Sequence, residues 1–505
     1  MTDGIALSRF QRTMITIAVM TATLLQVLDT TIANVALPHM QTSLGATRET
    51  VNWVLTSYII ASAVAIPITG WLADRIGRKT LFVAAAIGFT ASSALCAAAM
   101  GIGEIVAFRV LQGIAGAFLV PLAQAILFDI NPPERHASAM ALFGGGVMIG
   151  PILGPVLGGW LTEYYSWRWV FLVNVPVGTV ATVMLWRYLP SGKTIKRRFD
   201  LFGFALMGLA LASFQLMLDR GQQLDWFASW EIWVECFVAL AAAWMFVVHL
   251  VSARDPLVDP KMFRDRNFVA GMLFMLMTGA VMLAGLSLLP PLLQTLFGYS
   301  VLQSGLLTAP RGLGTLVSML LVGRIASRVD SRTLLLVGLS LMALSLWQMS
   351  GFTLEMDRRP IILSGVIQGF GLGFVFVPLQ TLAFETLGVH YRTSAASLLN
   401  LTRNVGGSIG ISLVTVLLGR NFQVSHAALT SNVTATDLPP LPPSLAAPGQ
   451  FVGQSALQML ESEVSRQAMM IAYLDDFWVM MLATIAAFPL LLLIRRKPKP
   501  ANTAA

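Results

Sequence analysis

The chain has 505 residues, of which 56% are hydrophobic and only 11% charged, with a mean hydropathy of +0.73. A soluble globular chain carries about 25% charged residues, so the composition excludes a water-soluble enzyme and indicates a polytopic membrane protein. The net charge of +8 does not indicate a nucleic-acid partner, because the basic residues lie in short loops between apolar runs, where they orient spans.

In chain order, the N-terminus MTDGIALSRFQRT leads into an apolar run too long for a cleaved signal peptide and reads as an uncleaved signal anchor. A membrane helix needs about 20 mostly apolar residues. Fourteen segments qualify, centred near Leu24, Ile60, Ile87, Ala117, Ile149, Val177, Leu209, Leu240, Leu276, Leu313, Leu339, Gly371, Ile411 and Thr484. The expected class is therefore an all-α integral membrane protein. With the N-terminus placed in the cytoplasm, 24 of the 33 Lys and Arg fall in cytoplasmic segments and 7 on the opposite side. Arg109 and Arg311 remain, inside or at the edge of spans. The even count puts both termini on the cytoplasmic side. Cys96 and Cys236 lie in apolar runs, which argues against a disulfide framework or a thiolate metal site. No cofactor or metal is expected.

The chain repeats itself. GWLADRIGRKTL (Gly70 to Leu81) aligns with GRIASRVDSRTL (Gly323 to Leu334) at a shift of 253 residues. LQGIAGAFLVP (Leu111 to Pro121) resembles IQGFGLGFVFVP (Ile367 to Pro378), with one inserted residue, at a shift of 256. This organisation implies a six-helix half over 1–190, two inserted helices with flanking loops over 191–266, a second six-helix half over 267–494, and a tail over 495–505. Residues 421–473 are expected not to span. Their first part (TDLPPLPPSLAAPGQ) is loop-like, and Gln454 to Ala472 reads as a short amphipathic helix outside the membrane. Parallel halves around a cavity are a recurring transporter plan.

Asp29 is the only acid or base between Arg12 and His39. A carboxylate at the centre of a bilayer costs roughly 3 kcal/mol on insertion scales, so an acid there marks function by default. Asp29 lies eight residues before Leu37 and so about 12 Å below that end of its helix, while Arg109 lies about 7 Å below the same surface. An ion pair, direct or water-bridged, is feasible if the first and fourth helices adjoin. The position aligned with Arg109 in the second half is Gly365, so the repeat carries this Arg once. A carboxylate whose surroundings alternate between dry and Arg-paired takes up and releases a proton. A cationic compound competing for Asp29 would exchange against it directly. The interior amides Gln26, Asn34, Gln112, Gln124 and Gln380 are expected to face the cavity with Asp29. Gly150, Gly154 and Gly158 recur every four residues for close helix contact, with Pro151 and Pro155 bending the same helix, and are expected to pack the two halves together. SGKT (Ser191 to Thr194) lacks the first Gly of a phosphate loop, which would fall on Arg187.

Four stretches in order carry a resemblance: LDTTIANVALP, GWLADRIGRK, RVLQGIAGAFLVPLAQA and GPILGPVLGG. They resemble the first-helix, second-loop, fourth-helix and fifth-helix motifs of the major facilitator superfamily, within its 14-span drug:proton antiporters, the EmrB/QacA subfamily. LMLDRGQQLDWF, DPLVDPKMFRDRNFVAG and NLTRNVGGSIG are similar to its EmrB-type export permeases. The resemblance implies proton-driven export of hydrophobic toxic compounds across a bacterial inner membrane. It also implies a periplasmic adaptor (EmrA-type) and an outer-membrane channel (TolC-type). It makes Asp74, Arg75, Gly77, Arg78 and Lys79 a conformational latch. The alternative is a uniporter or symporter for a nutrient. An anionic nutrient would favour Arg or Lys at the site, whereas Asp29 and the fifth-helix motif favour antiport of neutral or cationic compounds, with anionic uncouplers still open through Arg109. Retinal and haem chemistry are disfavoured, since every Lys is in a loop or the tail and no His lies at mid-span.

Overall fold

The computed structural model describes residues 8–431 and 452–494, apart from 193, 196, 197 and 327. Fourteen of its helices are long and apolar enough to cross a bilayer. They are α1 (Arg9–Ser43), α2 (Glu49–Ile76), α3 (Arg78–Ala98), α4 (Ile102–Ile130), α5 (Pro133–Tyr164), α6 (Trp169–Tyr188) and α7 (Leu201–Arg220), followed by α8 (Trp230–Ser252), α9 (Arg266–Thr295), α10 (Val301–Ile325), α11 (Ser331–Met349), α12 (Arg358–Glu385), α13 (Val389–Ser431) and α14 (Gln458–Leu493). Each expected centre falls in its own helix, and no strand occurs among the described residues.

The helix boundaries follow local chemistry. Ser8 with Gln11, and Ser300 with Gln303, form capping boxes that satisfy the first free amides of α1 and α10. Asp200, Ser229, Asp265 and Asp357 accept from first-turn amides of α7, α8, α9 and α12. Gly77 separates α2 from α3 at φ +88°, where a side chain would be strained.

Because the number of spans is even, α1 begins and α14 ends on one face, the terminal face; the other is the far face. In the first half α1 packs on α5 and α6, α2 on α4, and α3 on α4 and α6. The same pairs recur eight helices later: α9 on α13 and α14, α10 on α12, and α11 on α12 and α14. The inserted α7 and α8 pack on each other, with α7 also touching α2 and α13. The outer side of α8 exposes Trp230, Trp233, Phe237 and Trp244, an apolar surface suited to lipid. The halves meet chiefly where α5 packs on α10 and where α13 packs on α2 and α4.

Three expectations are corrected. The glycine ladder of α5 packs within its own half: Gly150 lies on Val27 and Leu28 of α1, Gly154 on Thr31, and Gly158 on Ile32 and Val35. Contact with the other half comes from different positions, Gly145 meeting Leu316 and Ile152 meeting Gly312. Arg403, counted above with a cytoplasmic loop, lies inside α13. The helical parts of 421–473 are not separate from the neighbouring spans, because α13 continues to Ser431 and residues 458–472 are one helix with the rest of α14. Residues 432–451, which include TDLPPLPPSLAAPGQ, lie outside the described residues, as do Lys193 of SGKT and the tail 495–505. The 43 residues of α13 amount to about 65 Å of helix against a hydrocarbon core of about 30 Å. α13 and α14 therefore project past the far face, where His426 Nε2 and Glu461 Oε1 lie 2.8 Å apart.

Close packing in the second half makes a prediction. A side chain at Gly406 or Gly410 would strike the backbone carbonyls of Leu276 or Ala280, and overpacking of this kind costs typically about 1–3 kcal/mol. Gly406→Val and Gly410→Val should lower the unfolding temperature of the purified protein by several degrees. Gly159→Ala, with open space around it, should leave it unchanged.

Candidate functional site

Asp29 is wholly buried, and both of its carboxylate oxygens are engaged. Arg109 Nη1 lies 2.6 Å from Oδ2. Gln112 Nε2 and Asn174 Nδ2 donate to Oδ1 at 2.9 and 2.7 Å. The guanidinium is held in turn: Nε donates to the Val54 carbonyl at 2.9 Å, Nη1 to Gln112 Oε1 at 2.8 Å, and the Tyr58 ring faces it at 4.2 Å. Asn174 also donates to Ser93, whose hydroxyl donates to the Phe171 carbonyl at 2.9 Å. Cys96 Sγ lies 3.6 Å from Gln112 Oε1. Five helices, α1 to α4 with α6 supplying Asn174 and Phe171, thus converge on one neutral ion pair, α5 alone of the first half being absent. Such a pair is tolerated when buried because each charge has its counter-charge and most of its remaining sites are hydrogen-bonded, Arg109 Nη2 being the exception.

Together these helices enclose the pair completely. The central cavity is elsewhere. It has a volume of about 410 Å³ and lies in the far-face half of the molecule, between α1, α5, α9 and α10. Thr31, Asn34 and Pro38 of α1 and Pro151 and Pro155 of α5 form one wall; Met282, Leu289, Gln294, Ser304, Thr308 and Arg311 stand opposite. Of the six residues expected to contact substrate, Asn34 is on this wall. Asp29 and Gln112 belong to the sealed pair, so direct competition of a compound for Asp29 does not occur in this conformation. Gln26 donates to the Tyr58 hydroxyl at 3.3 Å, and Gln124 accepts from Asn400 across the halves at 2.7 Å. Gln380 is buried with neither amide atom hydrogen-bonded. The charged group on the wall is Arg311, which is 8% exposed.

The terminal face is closed. Arg78 pairs with Asp129 of α4, and Asp129 Oδ1 lies 2.8 Å from Arg392 Nη1 of α13. Of the five residues expected to form a latch, Arg78 makes this link to the other half. Gly77 shapes the turn, and the Asp74 carbonyl accepts from the Ile195 amide at 2.7 Å. Arg75 is exposed and Lys79 half-buried. Ser138 donates to the Gly323 carbonyl at 2.8 Å, and Phe128 packs on Phe384.

A model of the Major Facilitator Superfamily matches residues 19–411. The chain belongs to the Major Facilitator Superfamily. Among its relatives, Multidrug export protein EmrB of Escherichia coli (strain K12) is 35% identical over 477 residues, 93% of this chain and 92% of that one. Fatty acid resistance protein FarB of Neisseria gonorrhoeae is 36% identical over 422 residues, 83% of each chain. The proton:xylose symporter XylE has the same fold at a TM-score of 0.61, with 14% identity, 94% of this chain and 95% of that one covered. The protein is a multidrug efflux transporter of the EmrB type within this superfamily, and a transporter rather than an enzyme.

Sequence reasoning passed over several residues that the superfamily fold brings together here. Asn174 and Asp129 each stand alone as a polar residue in an apolar run (FLVNVPV, AILFDIN), and that isolation was their signal. The Val54 carbonyl and the Tyr58 ring had none, since their roles depend on how α2 packs on α4.

Removing one partner of a buried pair leaves an uncompensated charge and costs about 3–5 kcal/mol. Arg109→Gln should therefore destabilise the purified protein strongly. Adding Asp29→Asn to it should recover part of the loss, read as a double-mutant cycle by thermal unfolding.

Proposed function

We propose that this efflux transporter exchanges hydrophobic compounds for protons across a bacterial inner membrane, with Asp29 as the proton-binding group and Arg109 as its switchable partner. The terminal face is taken as cytoplasmic, in keeping with the excess of Lys and Arg there. The conformation described is then open outward and latched inward through Arg78, Asp129 and Arg392. One observation carries the reading: α1 holds Asp29 on one side and, two and five residues on, Thr31 and Asn34 on the cavity wall.

This shared helix couples charge to shape. With Asp29 ionised, its three donors bind α1 to α4 and α6 and favour the outward-open arrangement. A proton arriving from outside neutralises the carboxylate, weakens those bonds and releases α1 toward the inward-open arrangement. Loss of the proton to the cytoplasm restores them. A ligand shifts such an equilibrium only by its differential affinity for the two states, and the proton has that here because only the ionised form attracts Arg109. One proton moving down 100 mV and one pH unit releases about 3.7 kcal/mol, which sustains a substrate gradient of roughly a few hundredfold.

A periplasmic adaptor and an outer-membrane channel complete the proposal, as the EmrB-type resemblance implies. The projecting ends of α13 and α14, joined by His426 and Glu461, offer the adaptor a helical surface outside the bilayer.

In an efflux-deficient host, the wild-type chain should extrude a hydrophobic dye, and a protonophore should stop it. Asp29→Asn should lower extrusion more than tenfold per molecule, after normalisation to the amount of folded protein in the membrane, which loss of the pair also reduces. Undiminished protonophore-sensitive extrusion by Asp29→Asn would reject the role given to Asp29.

A further inference from the structure

The internal repeat allows each member of the sealed site to be matched to a counterpart in the second half. The shift of 253 residues takes Tyr58 to Arg311, and that of 256 takes Arg109 to Gly365 and Gln112 to Gln368. Packing agrees with this register. Gly113 lies against the Tyr58 carbonyl oxygen, and Gly369, 256 residues later, lies against the Arg311 carbonyl oxygen. Asp29 is matched through the helices behind it. Gly150 and Gly154 pack on Val27 and Thr31, while Gly406 and Gly410 pack on Leu276 and Ala280. That register takes Asp29 to Thr278.

The second copy of the site therefore has threonine for the acid, glycine for the arginine and arginine for the tyrosine. Its one charge is a guanidinium with no carboxylate. Arg311 forms no ion pair among the described residues, and its side chain makes a single long contact, 3.5 Å from Nη2 to the Met282 carbonyl. Gly285 and Gly365 leave room around it: a methyl group at Gly285 would sit 3.5 Å from Nη1. Unlike Asp29, this group is on the cavity wall. Ser304, two turns away on the same face of α10, is buried with its hydroxyl unpartnered. Around them the wall is largely apolar, with Met148, Ile152 and Leu289 within the same cavity.

We propose that Arg311 is an anion-binding subsite of the cavity, which takes the carboxylate of an amphipathic molecule whose apolar body lies against Met148, Ile152 and Leu289. The guanidinium fork matches a carboxylate in two parallel hydrogen bonds. An incoming carboxylate restores to the second half the counter-charge that Asp29 supplies within the first. The wall thereby prefers anions, the reverse of the preference for cations that Asp29 suggested when the sequence was read alone. The inference rests on the efflux reading for its consequence but not for the binding itself.

Three probes with one apolar body separate the possibilities: naphthaleneacetate, its neutral amide, and the cation naphthylethylammonium. Their binding to the full-length protein in nanodiscs, measured by calorimetry, should favour the anion at least tenfold over the other two. Arg311→Gln should lose that preference and leave binding of the neutral amide within about twofold, while Arg311→Lys should keep part of it. Equal affinity of the wild-type protein for all three probes would overturn the subsite, with no variant needed. So would an Arg311→Gln protein that still prefers the anion. Failure of the efflux reading would look different: no protonophore-sensitive dye extrusion in cells, whatever the binding preference.

Discussion

A carboxylate and a guanidinium 2.6 Å apart, out of reach of solvent, set the arrangement of the first half. Neither charge is tolerable alone in a dry interior, so each holds the other in place. The donors of Gln112 and Asn174, the Val54 carbonyl and the Tyr58 ring also hold the pair, and only Arg109 Nη2 is left without a hydrogen bond. Five helices are thus positioned by one electrostatic requirement. Because α1 also forms part of the cavity wall, the proposed protonation of Asp29 would be transmitted to the cavity along a single helix.

The two halves have divided their labour. The first half keeps a charge-balanced site, closed to the cavity, which is the site proposed to bind the proton. In the second half, the matching positions hold Thr278, Gly365 and Arg311, a site with unbalanced charge beside the cavity. Closure of the terminal face depends on a third electrostatic element, Asp129, which accepts Arg78 from its own half and Arg392 from the other.

Much of this was legible in the sequence because membrane insertion imposes strong one-dimensional signals. Fourteen apolar runs, the alternation of basic loops and the repeat at 253 to 256 residues specify the spans and their pairing. Asp29 and Arg109 were legible as a pair because their depths can be counted along two helices. What the sequence does not carry is the rotation of each helix. Gln26, Gln112, Gln124 and Gln380 point away from the cavity, and nothing in composition distinguishes them from Asn34, which faces it. The glycines of α5 were assigned to the wrong neighbour for the same reason: spacing shows that a face is small, not which helix fills it. Arg403, counted with a cytoplasmic loop in the tally of basic residues, lies where the helix runs straight through.

The proposed exchange requires protons to reach the pair during transport, although this conformation encloses it. Cys96 offers a native reporter, since its sulfur lies against Gln112 of the pair and the chain's one other cysteine, Cys236, can be removed. The decisive measurement is the rate at which a small maleimide labels Cys96 in Cys236→Ser vesicles, at rest and during proton-driven export. The account predicts slow labelling at rest and a several-fold rise during turnover, as α1 parts from α4. Labelling that stays equally slow throughout sustained transport would contradict it, because the enclosed carboxylate would then never open to exchange a proton.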